Sequence, residues 1–344
     1  MRYNGTVAER RQEKLYVPPP PPRGDWRERV KVEHEDAPRR RLGGCSPALL
    51  ALLILVAGTV AACLCFVLVD APRFFLPGDG GRTNVLLLGV DRRSGDDWTY
   101  RTDTMMVATL DPASHTAGLL SIPRDLQVPI PGYGEDRINT ANVYGYLRDV
   151  PGGGPALARS TVETNFGISI DGYVMLDFYA FERIVDDLGG IDVYVSETLH
   201  DTQYPDPRPG DPHAYTTIHF DPGWQRMDGR RALQYARSRM STSDFDRARR
   251  QQEIILAIRK RALSLEAVPR WPVIVASVLD SVKTDMGPAE LAALAYLGAR
   301  VDPEQMERLV LEQPYVYGYR RADGAAVQLP NWELIRPAVA KLFD

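Results

Sequence analysis

Aspartate and arginine recur together beside apolar segments in several short stretches of the sequence. Three of these stretches are Asp91-Arg92-Arg93, Arg101-Thr102-Asp103 and Arg124-Asp125. One such pair is usually a surface salt bridge, but three in the same kind of position indicate a shared site. Guanidinium groups bind phosphate oxygens in a bidentate way, and aspartates suit a hard divalent cation such as Mg²⁺. The pattern therefore predicts phosphate chemistry just outside the ends of buried strands.

A fourth and richer stretch lies further along the chain. Its charged and polar members are Arg237, Arg239, Asp244, Arg247, Arg249, Arg250 and Gln251. In an extended segment Arg237 and Arg239 would share a face, and Asp244 is predicted to cap a long helix. Arg247, Arg250 and Gln251 then fall on one helical stripe, which Ile254, Ile255 and Ile258 continue as a buried stripe. The arginines are therefore expected to face the interior rather than solvent.

Other kinds of catalytic site are missing from the sequence. It holds no CxxC, no HExxH and no Walker loop, and its five histidines have no metal-ligand spacing. The three cysteines (Cys45, Cys63 and Cys65) lie in or beside one apolar segment, so the rest of the chain has neither a disulfide framework nor a thiolate nucleophile. Phosphoryl transfer needs little from a protein beyond positioning and charge neutralisation, and it fits this inventory.

Strands that alternate with helices must position these groups. Apolar or alternating runs predict strands over 84–91, 104–110, 116–122, 172–177 and 191–195. Amphipathic or capped runs predict helices over 156–166, 178–188, 229–235 and 245–265. Residues 200–223, rich in Pro, Asp and His, are interpreted as a loop, and residues 271–344 as helical pieces. The alternation indicates an α/β sandwich.

An uncharged apolar segment, residues 46–69, precedes this domain. A helix of that length spans the hydrocarbon layer of a bilayer, which is about 30 Å thick. Arg39, Arg40 and Arg41 lie just before it, so the positive-inside rule places the N-terminus in the cytoplasm and the C-terminal domain outside the cell membrane. The alternative is a lipoprotein cleavage site at Cys63, although the apolar run continues past it.

The flanks of this segment differ in composition and charge. Residues 1–45 carry eleven Lys and Arg against seven Asp and Glu, with a proline run, and are interpreted as a disordered cytoplasmic tail. Residues 70–82 form a Pro/Gly linker. The remaining chain is net acidic, and together with its predicted topology this excludes nucleic acid as a partner.

Six stretches, taken in order, resemble the signature blocks of the LytR-CpsA-Psr family. They are NVLLLGVDRR, RTDTMMVATL, SIPRDLQV, DRINTANVYG, FERIVDDLGGIDV and ALQYARSRMSTSDFDRARRQQEII. The resemblance covers about residues 82–265 and implies an α/β/α sandwich around a mixed central sheet, with a catalytic domain over 83–270. Residues 271–344, which carry no recognised signature, are taken as a helical extension of that domain.

The resemblance also implies a reaction and its participants. A polyprenyl-pyrophosphate carrier would bring a glycopolymer, which the enzyme would transfer to peptidoglycan through a phosphodiester bond with Mg²⁺ as cofactor. By motif, Asp91 and Asp103 match the metal-site and acid–base aspartates. The pyrophosphate arginines match Arg101, Arg124, Arg237 and Arg239. Substrate contacts are expected from Arg137, Asn142, Asp244, Arg247, Arg250 and Gln251.

Several points stay open from the sequence. Arg137 stands where many relatives have lysine, and residues 144–148 depart from the small-residue pattern that often follows. Asp91 could hold the metal or activate the acceptor hydroxyl. Two further functions compete with transfer: a non-catalytic protein that binds the lipid and regulates the envelope, and a pyrophosphatase that uses water as acceptor.

Overall fold

The computed structural model describes residues 81–92, 98–206, 211, 214–238 and 243–343. All of them belong to one unit, Ala57–Asp344. The predicted tail, the apolar segment 46–69 and nearly all of the linker lie outside the described residues. Among the helices of the described part, none has the length and apolar character needed to cross a membrane.

A six-stranded mixed sheet forms the centre of this unit. Its strands are β1 (Thr83–Val90), β2 (Thr102–Asp111), β3 (Thr116–Ser121), β6 (Gly172–Asp177), β11 (Lys283–Thr284) and β12 (Glu307–Val310). The order is β11-β6-β1-β2-β3-β12, with β1 parallel to β6 and antiparallel to β2. The apolar runs that predicted β1, β2, β3 and β6 are confirmed as strands, with small shifts of their ends.

Four smaller two-stranded sheets accompany the central one in the described part of the chain. They pair β4 (Gln127–Ile130) with β5 (Gly134–Arg137), β7 (Ile191–Val195) with β10 (Gly223–Met227), β8 (Leu199–Pro205) with β9 (Tyr215–Phe220), and β13 (Val316–Arg320) with β14 (Ala326–Pro330). The prediction of a loop over 200–223 is therefore wrong. Buried Leu199, Tyr204, Ile218 and Phe220 stabilise β8 and β9 despite the polar residues between them.

Eight α-helices complete the described fold. They are α1 (Ala141–Leu147), α2 (Gly153–Phe166), α3 (Phe178–Asp187), α4 (Gly229–Arg237), α5 (Asp244–Ala262), α6 (Trp271–Ser281), α7 (Pro288–Arg300) and α8 (Trp332–Phe343). Gly167 ends α2 with a φ of 71°, in the left-handed region that favours glycine. Residues 271–344 are not only helical, because β12 joins the central sheet and β13–β14 form a hairpin.

Helices cover the central sheet on both faces. Leu86 and Val90 of β1 belong to an apolar cluster that includes residues of α2 and α8. Leu87 of β1 faces the other way, toward α3, α4 and α5. The predicted α/β/α sandwich with a mixed sheet is thus confirmed for the described residues.

Candidate active site

The two candidate aspartates meet at one edge of the central sheet. Asp91 follows the last residue of β1, and Asp103 lies near the start of β2. Because β1 and β2 are antiparallel, Gly89 is opposite Thr104 and both carboxylates reach the same cleft. This polar cleft has a volume of about 970 Å³ and is lined by Asp91, Tyr100, Arg101, Asp103, Arg124, Asp125, Arg137 and Asn139.

Arg124 connects two of the predicted stretches. It follows β3, and its guanidinium donates to Asp103 Oδ1 at 2.5 Å and lies 3.5 Å from Asp125. Burial acts to lower the pKa of Arg124, but the carboxylates of Asp103 and Asp125 outweigh it and raise that pKa. Arg124 therefore stays charged beside the aspartates.

Arg237 is the last residue of α4, so it lies on a helix and not in an extended segment. Its guanidinium lies 3.9 Å from the centroid of the Phe178 ring. One nitrogen is 3.4 Å from Asp91 Oδ2 and another donates to the Tyr204 hydroxyl at 3.2 Å. Burial raises the pKa of Tyr204, which keeps that hydroxyl protonated. Arg239, its predicted companion, lies outside the described residues.

The start of α5 supplies the next groups. Ser243, not Asp244, caps this helix: Ser243 and Asp246 form a reciprocal capping box, and Asp244 is the first helical residue. Arg247 lies 3.0 Å from Asp244. Arg247 and Gln251 face the interior as predicted, and together with Asp91, Asp103, Arg124 and Arg237 they line a second polar cleft of about 980 Å³.

Two predicted substrate contacts are placed elsewhere. Buried Arg250 donates to the backbone carbonyls of Tyr235 at 3.0 Å and Ser238 at 2.5 Å, and burial lowers its pKa. Buried Asn142 donates to the carbonyls of Trp98 at 3.1 Å and Tyr100 at 2.7 Å. Neither lines a described cleft at the site. Arg250 thus fixes the end of α4, and Asn142 fixes the segment that leads to Arg101.

An apolar cleft of about 770 Å³ lies between the central sheet and helices α3 to α5. Its walls include Leu87 of β1, Phe181 of α3 and Ile258 of α5. It shares Thr104, Phe178, Arg237 and Gln251 with the second polar cleft. The apolar space therefore ends where the charged space begins.

The structure also brings residues to the site that the sequence left unassigned. Asp201, Gln203 and Tyr204 of β8 line the second polar cleft, and Phe178 lies at its junction with the apolar cleft. Asp201 is buried and accepts a hydrogen bond from Ser238 Oγ at 2.8 Å. In the structure, buried Leu199 and Asp201 alternate with exposed His200, but the sequence Leu-His-Asp does not show this alternation.

Asp91 and Asp103 are the donors that suit a hard cation at this edge of the sheet. Within the described residues, no three His, Cys, Asp or Glu side chains are grouped so that they could hold a metal ion. Mg²⁺ is commonly bound by one or two carboxylates, with water and substrate phosphates completing its shell. The donor set fits Mg²⁺ in that form, and not in an all-protein cage.

Comparison with known proteins adds a family and several relatives. Residues 73–334 match the model of the LytR_cpsA_psr family. The chain is 35% identical over 228 residues to the polyisoprenyl-teichoic acid–peptidoglycan teichoic acid transferase TagU of Oceanobacillus iheyensis. The matched region covers 65% of this chain and 66% of that relative, just under two thirds of the relative's length. It is 30% identical over 270 residues to the regulatory protein MsrR of Staphylococcus aureus, covering 77% and 75% of the two chains.

Solved structures share the fold. TagV of Bacillus subtilis is similar with a TM-score of 0.61 and 27% identity, covering 77% of this chain and 98% of that one. The family protein YwtF (TagT) with bound octaprenyl pyrophosphate lipid is similar with a TM-score of 0.55 and 26% identity, covering 78% and 91%.

Proposed function

Because the chain belongs to the LytR_cpsA_psr family, we propose that it is a transferase that moves a glycopolymer from a polyprenyl-pyrophosphate carrier to peptidoglycan. The observation that carries this proposal is the position of Arg237. It lines the apolar cleft and the second polar cleft, and it lies 3.4 Å from Asp91. An isoprenoid tail in the apolar cleft would therefore bring its pyrophosphate to the arginines and aspartates.

Each part of the carrier finds a matching surface. Leu87, Phe181 and Ile258 offer apolar contact to the tail. Arg124, Arg237 and Arg247 line the second polar cleft, where guanidinium groups can pair with the pyrophosphate oxygens. The first polar cleft, with Arg101, Arg137 and Asn139, extends from the same two aspartates and leaves room for glycan.

The reaction is a displacement at the sugar-proximal phosphorus. An acceptor hydroxyl of peptidoglycan attacks that phosphorus, its proton passes to an aspartate, and the bond to the bridging oxygen breaks. Polyprenyl phosphate leaves, and the glycopolymer stays joined to the acceptor by a phosphodiester. The arginines stabilise the charge on the departing phosphate and hold the pyrophosphate in line.

Asp91 and Asp103 would divide two tasks between them. Their carboxylates would hold Mg²⁺, which when bound neutralises pyrophosphate charge, and one of them would accept the hydroxyl proton. Asp103 is already paired with Arg124 at 2.5 Å, whereas Asp91 lies 3.4 Å from Arg237. An arginine therefore stands beside each carboxylate that could accept the proton.

The working location follows from the carrier. An isoprenoid-linked substrate stays in the bilayer, so the domain would act at the outer face of the cell membrane. The single apolar segment 46–69 would anchor it there, with the N-terminus of the chain in the cytoplasm. Nucleic acid does not fit as a partner of a net acidic outer domain.

A non-catalytic regulatory protein is the second candidate, favoured by the name of the Staphylococcus aureus relative. Lipid binding alone would not call for two carboxylates beside the pyrophosphate arginines, and this speaks against it. The purified full-length chain in proteoliposomes distinguishes the two. With a polyprenyl-pyrophosphoryl saccharide and a peptidoglycan oligomer, the transferase releases polyprenyl phosphate, and Asp103→Ala does not. Carrier binding without release would support the regulatory alternative.

A further inference from the structure

Exposed apolar side chains concentrate at one place on the described surface. They lie on α6 and in the segment that leads to it from α5, and we call them the α6 patch: Leu265, Val268, Trp271, Val273, Val275 and Leu279. Leu265 is 89% exposed, Val275 55% and Leu279 53%. Trp271, Val275 and Leu279 are four residues apart and form one stripe along the helix. A stripe of exposed apolar side chains along one helix is unusual on a soluble surface and indicates a binding surface.

The inner face of α6 is already engaged with the domain. Ser277 donates to Asp187 at the end of α3, and Arg183 of α3 pairs with Asp280 at 2.9 Å. Trp271 belongs to the exposed stripe, and its indole N–H donates to the Ala262 carbonyl at 3.0 Å, which attaches the start of α6 to the end of α5. Within the described residues, the exposed stripe is therefore the outer face of a helix that its inner face holds in place.

The helices that line the apolar cleft also hold the α6 patch, at their ends away from the arginines. Gln251 lies in both the apolar and second polar clefts, and Ile258 lies seven residues further along α5, about 10 Å away at 1.5 Å per residue. The end of α5, at Ala262, contacts Trp271. Helix α3 lines the cleft through Phe181 and supports α6 through Arg183 and Asp187.

The chain also enters the domain from that side. Strand β1 begins at Thr83 and ends at Val90 beside Asp91, and its residue Leu87 lies in the cleft with Ile258. The start of β1 is therefore on the α6 side of the cleft. The linker 70–82 separates Thr83 from the predicted membrane segment by thirteen residues, a reach of about 45 Å at most.

We propose that the α6 patch docks on the outer leaflet of the membrane. Helix α6 would lie in the plane of the interface with Trp271, Val275 and Leu279 among the acyl chains, as amphipathic interfacial helices do. An isoprenoid tail could then pass from the bilayer into the apolar cleft without crossing water. This role for the cleft rests on the proposed function, whereas docking itself does not.

The charges around the α6 patch suit a bilayer of any net charge. The acidic side chains beside it, Glu266 and Asp280, are paired with Arg261 and Arg183 respectively. The guanidinium of Arg270 is next to the Asp187 carbonyl. Arg270 keeps one positive charge beside the patch, so docking should depend mainly on apolar insertion, with a small gain from anionic lipid such as phosphatidylglycerol.

The test places one environment-sensitive label on the full-length chain in proteoliposomes. Cys45, Cys63 and Cys65 are replaced by serine, and an NBD fluorophore is attached at Val275→Cys or at the control Leu147→Cys. Leu147 is 64% exposed and lies on α1, which packs against α2. Docking predicts strong quenching by doxyl-labelled lipid at position 275 and little at position 147. Equal quenching at the two positions overturns the proposal, as does a blue-shifted but unquenched label at 275, which would mean that a protein covers the patch.

A second measurement connects docking to substrate entry. Val275→Asp and Leu279→Asp place a carboxylate on the exposed stripe, away from the candidate active site, and thermal melting checks that they fold. Transfer from a long-chain carrier in the bilayer should fall by about tenfold or more, since a carboxylate loses its hydration when it enters the acyl chains. Transfer from a short, water-soluble isoprenoid carrier should be unchanged, and equal losses with both carriers contradict the proposal. If no carrier supports transfer, the proposed function fails while the quenching result still decides docking.

Discussion

The guanidinium of Arg237 lies 3.9 Å from the centroid of the Phe178 ring. The ring covers one face of the guanidinium. The N–H groups of Arg237 lie in the plane of that guanidinium and point toward Asp91 and the Tyr204 hydroxyl. Both Arg237 and Phe178 line the apolar cleft and the second polar cleft. The pair therefore marks the point at which a ligand would change from hydrocarbon to phosphate.

Arg237→Lys should lower the rate of transfer by about tenfold or more, because an ammonium neither stacks on Phe178 nor forms a bidentate contact with phosphate. Steady-state kinetics with a polyprenyl-pyrophosphoryl saccharide checks this. Arg230→Lys is the matched control: Arg230 lies on the same helix, α4, but is 66% exposed and pairs with Asp206. Equal kinetics of the two variants would contradict the assignment of Arg237 to the phosphate site.

Ile258→Gln should weaken the binding of long isoprenoid carriers, because it places an amide in the wall of the apolar cleft. The expected rise in KM is about tenfold, which is near the free energy lost when one apolar side chain no longer contributes to burial of the tail. Short carriers that do not reach Ile258 should keep their KM, and Ile258→Val should behave as wild type. A rise that is independent of carrier length would place the tail elsewhere.

Ser238→Ala should reduce the free energy of unfolding by about 1–3 kcal/mol, since it removes a hydrogen bond to the buried Asp201. Urea denaturation followed by circular dichroism measures the change. Ser114→Ala is a suitable control, because Ser114 also bonds an aspartate, Asp111, but on an exposed turn, and its loss should stay within about 0.5 kcal/mol. Similar values for both would show that Asp201 does not depend on Ser238.

The titration of Glu253 should lower the free energy of unfolding as pH rises. Burial raises the pKa of Glu253 above its ordinary value, although the Tyr235 hydroxyl and nearby arginines oppose this. Between the unfolded and the folded pKa the native state holds more protons, so stability falls with rising pH across that window. Glu253→Gln should flatten this part of the stability–pH curve. Chemical denaturation at a series of pH values tests this, and an unchanged slope in Glu253→Gln would contradict it.

The sequence predicted the elements that carry their own pattern. The run at residues 84–91 indicated β1, and the stripe of Arg247, Gln251 and Ile254 indicated the inner face of α5. Strand β8 was not predicted from the sequence. Its residue Asp201 is buried because it accepts a hydrogen bond from Ser238, a distant partner that no local pattern reveals. Arg250 shares the stripe of Arg247 yet bonds backbone carbonyls. Periodicity shows that a guanidinium is buried but not which group it meets.

The apolar cleft could not be predicted for the same reason. Its walls come from three strands and three helices, and apolar residues such as Leu87, Phe181 and Ile258 are indistinguishable in sequence from ordinary core. Only their arrangement leaves space between the sheet and the helices. The alignment of that space with Arg237 depends on the end of α4, which Arg250 fixes from α5.

The fate of the sugar-proximal phosphate tests the central proposal most directly. A polyprenyl-pyrophosphoryl saccharide labelled with ³²P at that phosphate is given to the full-length chain with a peptidoglycan oligomer. Transfer through a phosphodiester predicts that the label joins the oligomer with its saccharide, and that Asp91→Asn and Asp103→Asn abolish this. Label in soluble saccharide phosphate would identify a pyrophosphatase. Label that stays on the lipid in the wild-type protein would contradict transfer of the saccharide together with its phosphate.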